Sequence, residues 1–196
     1  MSGGQKKLAR RDVLSRVLAE RGRTLVVAGL GTTNYDLFAV SDAAENVYMW
    51  GSMGITASIG LGLALAQPDR RVLVVTGDGD AMMGLGSLAT IAVQAPENLS
   101  ILVMDNEVFE ETGAQPGLTA SGVDIAGIAA AAGFAETRII REQAEVAALP
   151  DFLLKRPGPV IAVAKIRLAE DEPVYPSMDG PALARQARDA IAGSSN

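Results

Sequence analysis

The sequence predicts an α/β fold: a parallel sheet, doubly wound, between two layers of helices. Three observations carry that expectation. Short, almost continuous apolar runs, such as Val72-Leu73-Val74-Val75-Thr76 and Leu99 to Met104, alternate with longer segments of helical spacing. Strands that are apolar on both sides belong to a parallel sheet covered on both faces. Several of these runs end in glycine turns, Gly29-Leu30-Gly31 and Gly77-Asp78-Gly79 among them, and the carboxyl ends of strands are where doubly wound sheets bind ligands. Finally, 196 residues, 48% of them hydrophobic and 20% charged, suffice for one domain with a full core.

Taken in order, Leu8 to Arg21 has apolar residues at Leu8, Val13, Leu14, Val17 and Leu18, the spacing of an amphipathic helix. Thr24 to Ala28 is a short strand rich in β-branched residues. Thr32-Thr33-Asn34 can cap a helix reaching about Ser41. Asn46 to Trp50 reads as a strand that runs into Gly51-Ser52-Met53-Gly54. Ile55 to Gln67 is apolar nearly all round, as a helix buried on most sides must be, and Pro68-Asp69 ends it. The strand Val72 to Thr76 is followed by a helix around Leu85 to Gln94 and the strand Leu99 to Asp105. A longer segment, Glu107 to Val123, contains Gly113, Pro116 and Gly117. A helix over Asp124 to Ala132, a strand at Glu136 to Ile140, a helix from Glu142 to Lys155 and a last buried strand, Val160 to Ile166, complete the alternation. Residues 169–179 read as an extended tail and Pro181 to Ala192 as a surface helix, both within one domain of residues 1–196.

Composition excludes several functions. The chain has no histidine and no cysteine, so it cannot supply a Ser-His-Asp or Cys-His site, a histidine-ligated zinc or a disulfide. A net charge of −6 argues against nucleic acid, which needs clustered Lys and Arg. No apolar run approaches the roughly 20 residues that span a bilayer, and the polar, basic start Met1 to Arg11 has no apolar signal core. A cytoplasmic protein without a membrane partner is expected.

The chemistry is concentrated at two strand ends. Gly77-Asp78-Gly79 follows one apolar run, and Asp105-Asn106 closes the next. Neighbouring strands would bring Asp78 and Asn106 together as an acid and an amide, both hard oxygen donors. Mg2+ prefers such ligands and shares its octahedron with phosphate oxygens. Each motif alone has an ordinary explanation, since glycine turns close many βα units and Asn often caps a turn. Gly29-Leu30-Gly31-Thr32-Thr33-Asn34 begins like a dinucleotide fingerprint, but Asn34 stands where the last glycine belongs and no acid follows a second strand.

GDG followed after about two dozen residues by Asn resembles the cofactor motif of the thiamine diphosphate enzymes. Trp50-Gly51-Ser52-Met53-Gly54 is similar to the loop that cradles the cofactor's aminopyrimidine in that family. Gly60-Leu61-Gly62-Leu63-Ala64-Leu65-Ala66 and Thr112-Gly113-Ala114-Gln115-Pro116 most resemble the small subunits of sulfopyruvate and phosphonopyruvate decarboxylases. The similarity covers roughly residues 8–168. It implies a thiamine diphosphate-binding fold, with Mg2+ held by the side chains of Asp78 and Asn106 and the carbonyl of Val108. It places Gly77 and the amides of Gly79, Asp80 and Ala81 against the diphosphate, where a helix start favours anions. The Thr32 hydroxyl would reach the same diphosphate. Met53 would be the apolar wedge that bends the cofactor so that it deprotonates itself, with Ser52 beside it and the Gly51 carbonyl accepting from the 4′-amino group. Phe109 and Glu111 would lie along the cofactor, and Thr112 would face substrate.

The same resemblance implies an incomplete enzyme. The glutamate that activates the pyrimidine belongs to a second domain type, for which this chain has no room, so a separate pyrimidine-domain subunit is expected, together with self-association. The implied activity is decarboxylation of a small 2-oxo acid. Carboligation or oxidation with the same cofactor half is the alternative among enzymes, and a non-catalytic nucleotide-binding regulatory subunit the alternative outside them. The chain departs from the pattern at Glu110 and Glu111, where small residues are common. Two acids beside the cleft would repel a dianionic substrate unless the partner supplied Lys or Arg.

Overall fold

A computed structural model describes residues 8–168 and 171–193. Six parallel strands form its sheet: β1 (Leu25–Ala28), β2 (Val47–Tyr48), β3 (Val72–Gly77), β4 (Leu99–Asp105), β7 (Glu136–Ile140) and β8 (Val160–Lys165). The intervening β5 (Val108–Phe109) and β6 (Gln115–Pro116) form a separate antiparallel pair. The order across the sheet is β2-β1-β3-β4-β8-β7. The parallel α/β sheet read from the sequence is therefore the observed one.

Alternation along each strand separates the core into two layers, because successive side chains point to opposite faces. Val26, Ala28, Leu73, Val75, Leu102 and Met104 pack with α1 (Arg10–Leu18), with Leu37 of α2 (Thr32–Ser41), and with Phe152 and Leu153. Leu25, Val27, Val72, Val74, Ile101 and Val103 face the other way. They meet α3 (Thr56–Ala66), α5 (Gly86–Gln94) and α6 (Ile125–Ala132), with Ile191 of the C-terminal helix α8 (Gly180–Gly193) joining the same layer. The apolar, small-residue α3 lies so close to the sheet that a Cβ on Gly60 would sit 2.1 Å from Val74 Cγ2.

The chain leaves β1 toward β2 through α2 and returns to β3 through α3, crossing from one face to the other. It then continues from β3 toward β4 on the opposite side of β1. This reversal is the topological switch point, where the carboxyl ends of adjacent strands diverge and leave a crevice. Gly31, at φ +71, turns the chain from β1 into α2.

Four local expectations need correction. Thr32 is the first residue of α2 and makes no side-chain cap; Gly31 holds the N-cap position. Trp50 lies beyond β2, which ends at Tyr48, and its indole N–H donates to the Ser177 carbonyl at 2.7 Å. A short helix, α4 (Asp78–Met83), precedes α5, with Gly84 between them because a Cβ there would clash with the Gly54 carbonyl at 1.9 Å. The single helix expected over residues 142–155 is instead α7 (Gln143–Val146) and a π-helical turn at Asp151–Lys155. Pro150 lies between them and lacks the N–H that a continuous helix requires. Of the expected tail, residues 171–179 form no regular element, and Ala169 and Glu170 lie outside the described residues.

Candidate functional site

The switch point opens into a cleft lined by the ends of β1, β3 and β4, by Met53 and by the β5 turn. Of the residues singled out in the sequence, Thr32, Met53, Gly77, Asp78, Gly79, Asp80, Asn106, Val108, Phe109, Glu111 and Thr112 line it. Gly51, Ser52 and Ala81 do not. Ala81 packs toward the α3 side of the sheet instead. Ser52 precedes the Met53 wall with a left-handed backbone, φ +62, a conformation that costs a non-glycine residue free energy and that clusters at functional sites.

Asp78 begins α4 and is buried. The backbone N–H groups of Asp78 and Asn106 donate to its carboxylate, which places it beside the end of β4. Thr119 Oγ1 lies 2.9 Å from Asp78 Oδ2 and 2.9 Å from Asp105 Oδ1. A hydroxyl carries one proton, so it satisfies only one of these carboxylates at a time. Asp105 has Lys165 Nζ at 2.6 Å, and Lys165 also reaches Glu107 at 3.1 Å. The cation therefore serves Asp105 and leaves Asp78 short of positive charge. Burial, reinforced by the Asp105 charge, pushes the Asp78 carboxyl up to about 6.

That shortage is what a divalent cation corrects. Asp78, Asn106 and Val108 all line the cleft, and a carboxylate, a side-chain amide and a backbone carbonyl make a hard donor set that suits Mg2+. Room for a ligand is provided next door: a Cβ on Gly77 would meet nothing within 4 Å. A Cβ on Gly79 would come 2.7 Å from Phe109 and 3.0 Å from Met53, so the absent side chain lets those two close over α4. The residues present fit a metal-bound diphosphate.

Asp80 lines the edge of the cleft but its carboxylate is fully engaged. It accepts from the Gly54 N–H and from the hydroxyls of Thr56 at 2.6 Å and Thr76 at 2.5 Å. It ties the loop carrying Met53 to the end of β3.

Arg10 escaped the sequence reading. On an amphipathic helix an arginine suggests a solvated face, but this one is 6% exposed and lines the cleft. Its Nε donates to Asp36, and its Nη1 donates to Glu110 at 2.9 Å. Glu110 thus has a cation from its own chain, which corrects the expectation that only a partner could supply one. Glu111 lies against Gly31, with Tyr35 Oη 3.5 Å from its carboxylate. Thr112 is exposed at the rim, its hydroxyl 2.8 Å from Gln115 Oε1.

Comparison with known proteins decides the family. The model for the thiamine pyrophosphate enzymes' C-terminal TPP binding domain matches residues 34–164. The chain belongs to this family. Thiamine diphosphate is therefore its cofactor. The chain is 41% identical over 127 residues to sulfopyruvate decarboxylase subunit beta of Methanothermobacter thermautotrophicus, covering 65% of this chain and 68% of that protein. It is 48% identical over 122 residues to phosphonopyruvate decarboxylase of Streptomyces hygroscopicus, covering 62% of this chain but only 30% of that longer protein. Among solved structures, benzoylformate decarboxylase from Polynucleobacter necessarius superimposes with a TM-score of 0.70 at 21% identity, over 85% of this chain and 34% of that one. No helix among the described residues is long and apolar enough to cross a membrane.

Proposed function

We propose that this chain is the diphosphate-binding subunit of a two-subunit, Mg2+-dependent decarboxylase of a small 2-oxo acid, of the sulfopyruvate or phosphonopyruvate kind. The observation that carries the reading is the buried Asp78 carboxylate, short of positive charge beside Asn106 at the switch point. In this reading Asp78, Asn106 and the Val108 carbonyl hold Mg2+. Gly77 leaves space for the diphosphate, and the N–H groups of Gly79 and Asp80 in the first turn of α4 donate to it. Thr32 lines the same wall and offers a hydroxyl. Met53 supports the cofactor from below, while Gly51 and Ser52 set the course of that loop. Phe109 and Glu111 flank the cofactor, and Thr112 stands at the rim where substrate enters.

When bound, thiamine diphosphate supplies the electron sink that decarboxylation requires. The chain's own part is to hold and orient it and to exclude water. The name of the relative as a beta subunit supports a partner chain. In the proposed assembly that partner carries the pyrimidine domain, closes the open side of the cleft and contributes the activating glutamate. Phe109, Ile55 and Met83 are exposed apolar side chains near the cofactor loop, which favours association there. A second copy of this chain is the other expected neighbour. Because Glu110 is paired with Arg10, Glu111 is the remaining acid that an anionic substrate would meet.

Reconstitution tests the reading. The chain mixed with a pyrimidine-domain partner, thiamine diphosphate and Mg2+ should release CO2 from at least one member of a 2-oxo acid panel and saturate at a fixed subunit ratio. CO2 release by the monomeric chain alone, or no cofactor-dependent release from any substrate, would sink it.

A further inference from the structure

Glu110 lies on the single 3-10 turn Glu110–Thr112 that follows β5. One of its oxygens, Oε2, accepts from Asn106 Nδ2 at 2.9 Å and from Arg10 Nη1 at 2.9 Å. Arg10 is braced from behind by Asp36, whose other oxygen takes Arg11 Nε at 2.9 Å. Four residues from three separate stretches of chain are thus linked in series, and the last of them, Glu110, holds the Asn106 side-chain amide at the end of β4.

An ionised carboxylate only accepts hydrogen bonds, so the nitrogen of the Asn106 amide has to face Glu110. On the other side the Val108 N–H, which only donates, lies 3.0 Å from Asn106 Oδ1. Both neighbours select the same orientation of the amide, whichever way an electron-rich end could otherwise be drawn. The oxygen keeps a second lone pair. A reversed amide would lose that donor and turn N–H groups toward any cation in the cleft.

We propose that Glu110, anchored by Arg10, is a positioning residue that fixes the Asn106 amide with its oxygen toward the divalent cation. The proposal rests on the reading that Asp78 and Asn106 hold that cation. It gives Glu110 a role in metal binding, distinct from contact with substrate. It also explains a buried arginine on the first helix: Arg10 holds the carboxylate where one oxygen can reach both partners.

The hydrogen bond and the charge of Glu110 can be separated. In Glu110→Gln the single amide oxygen still accepts from Asn106 and Arg10, while the charge is gone. In Glu110→Ala both are lost. Mn2+ replaces Mg2+ as the probe, and free Mn2+ is followed by electron paramagnetic resonance in the full chain with saturating thiamine diphosphate. Glu110→Ala should weaken Mn2+ about tenfold, the lower end of what loss of a ligand-orienting neighbour costs. Glu110→Gln should stay within about twofold of the parent because its acceptor is retained. Glu110→Ala leaves the buried Arg10 with Asp36 as its remaining acid, so thermal unfolding of both variants is measured alongside and Mn2+ binding is read at a temperature where each is fully folded. Parent-like Mn2+ binding by Glu110→Ala overturns the proposal. So does a loss in Glu110→Gln equal to that in Glu110→Ala, because charge would then be the cause. Asp78→Ala distinguishes the two levels. If it leaves Mn2+ binding intact, the metal site falls and the proposal with it; if it removes binding while Glu110→Ala does not, only the positioning role falls.

Discussion

Asp78 and Asp80 stand on the same turn of α4, 3% and 6% exposed, and their surroundings are opposite. Asp80 is ringed by three donors, from Gly54, Thr56 and Thr76. Apart from two backbone N–H groups, Asp78 has one shared hydroxyl and a neighbouring carboxylate. Buried polar groups are ordinarily satisfied. The turn therefore separates a carboxylate that completes the fold from one left short of positive charge. The two are linked, because the ring around Asp80 places the Met53 loop, and Met53 Cε lies 3.0 Å from where a Gly79 side chain would begin.

The largest expected effect breaks the satisfied side. Asp80→Ala strands the Gly54 N–H and two buried hydroxyls and unfastens α3 from β3. Each buried donor left without its acceptor costs about 1–3 kcal/mol, so the three together should cost about 3–5 kcal/mol. Urea unfolding of the isolated chain should show this, and a loss below about 1 kcal/mol would remove the distinction between the two aspartates.

The charge-poor side should be visible as a pH dependence of the metal-free chain. The Asp78 carboxyl is raised from 3.8 to about 6 in the fold, so the folded state binds its proton more tightly than the unfolded state. The stability this confers is complete below about pH 4 and is lost as pH rises through about 6, approaching 3 kcal/mol. The difference between the parent and Asp78→Asn, followed by urea unfolding from pH 4 to 7, isolates this group. Parallel curves for the two would refute it.

How far this contrast could be read in advance differs between fold and site. The four central strands, β1, β3, β4 and β8, were legible because each is an apolar run that needs both faces of a sheet, and that requirement is local. Asp78 and Asn106 were legible because a glycine turn and strand ends mark them, and Met53 only through the resemblance of its loop to that of the family. The roles of Asp80 and Arg10 were not. Asp80 was expected to contribute a backbone amide, while its carboxylate is committed to Gly54 and Thr56, more than twenty residues earlier. Arg10 is defined by Asp36 and Glu110, neither near it in sequence. Long-range polar pairing leaves no periodic trace. The segment after Asn106 likewise folds into a hairpin and tight turns that depend on its contacts, among them the Gly117 N–H on the Glu107 carbonyl at 2.8 Å.

Asp78→Ala should reverse the pattern of Asp80→Ala. Thr119 retains Asp105 as its acceptor, so near pH 4 unfolding free energy should change by less than about 1 kcal/mol, and near pH 7 the variant, which has no buried carboxylate to ionise, should be the more stable. Affinity for thiamine diphosphate with Mg2+ should fall about 100-fold, equivalent to about 2.7 kcal/mol. Calorimetry on the chain or its complex reads the binding loss, and an unchanged affinity would contradict the metal assignment.

The smallest effects come from adding one methyl group on either side of the turn. A Cβ on Gly29 would approach Asp80 Oδ2 to 2.7 Å, with the hydroxyls of Thr56 and Thr76 at 3.2 and 3.3 Å. Gly29→Ala therefore crowds the satisfied ring and should cost about 1–2 kcal/mol of stability. Cofactor affinity should change less than about threefold. Gly77 has extended backbone, φ −81 and ψ 161, and open space where its Cβ would stand. Gly77→Ala fits the backbone, so the fold should hold its stability or gain a few tenths of a kcal/mol, to about 1 at most, from the stiffer unfolded chain. The new methyl occupies room that the diphosphate needs, and affinity should fall about tenfold, or about 1.4 kcal/mol. Unfolding curves and binding isotherms on both variants give four numbers that must cross over. If Gly29→Ala weakens the cofactor more than Gly77→Ala does, the cleft lies on the Asp80 side of the turn and the comparison is inverted.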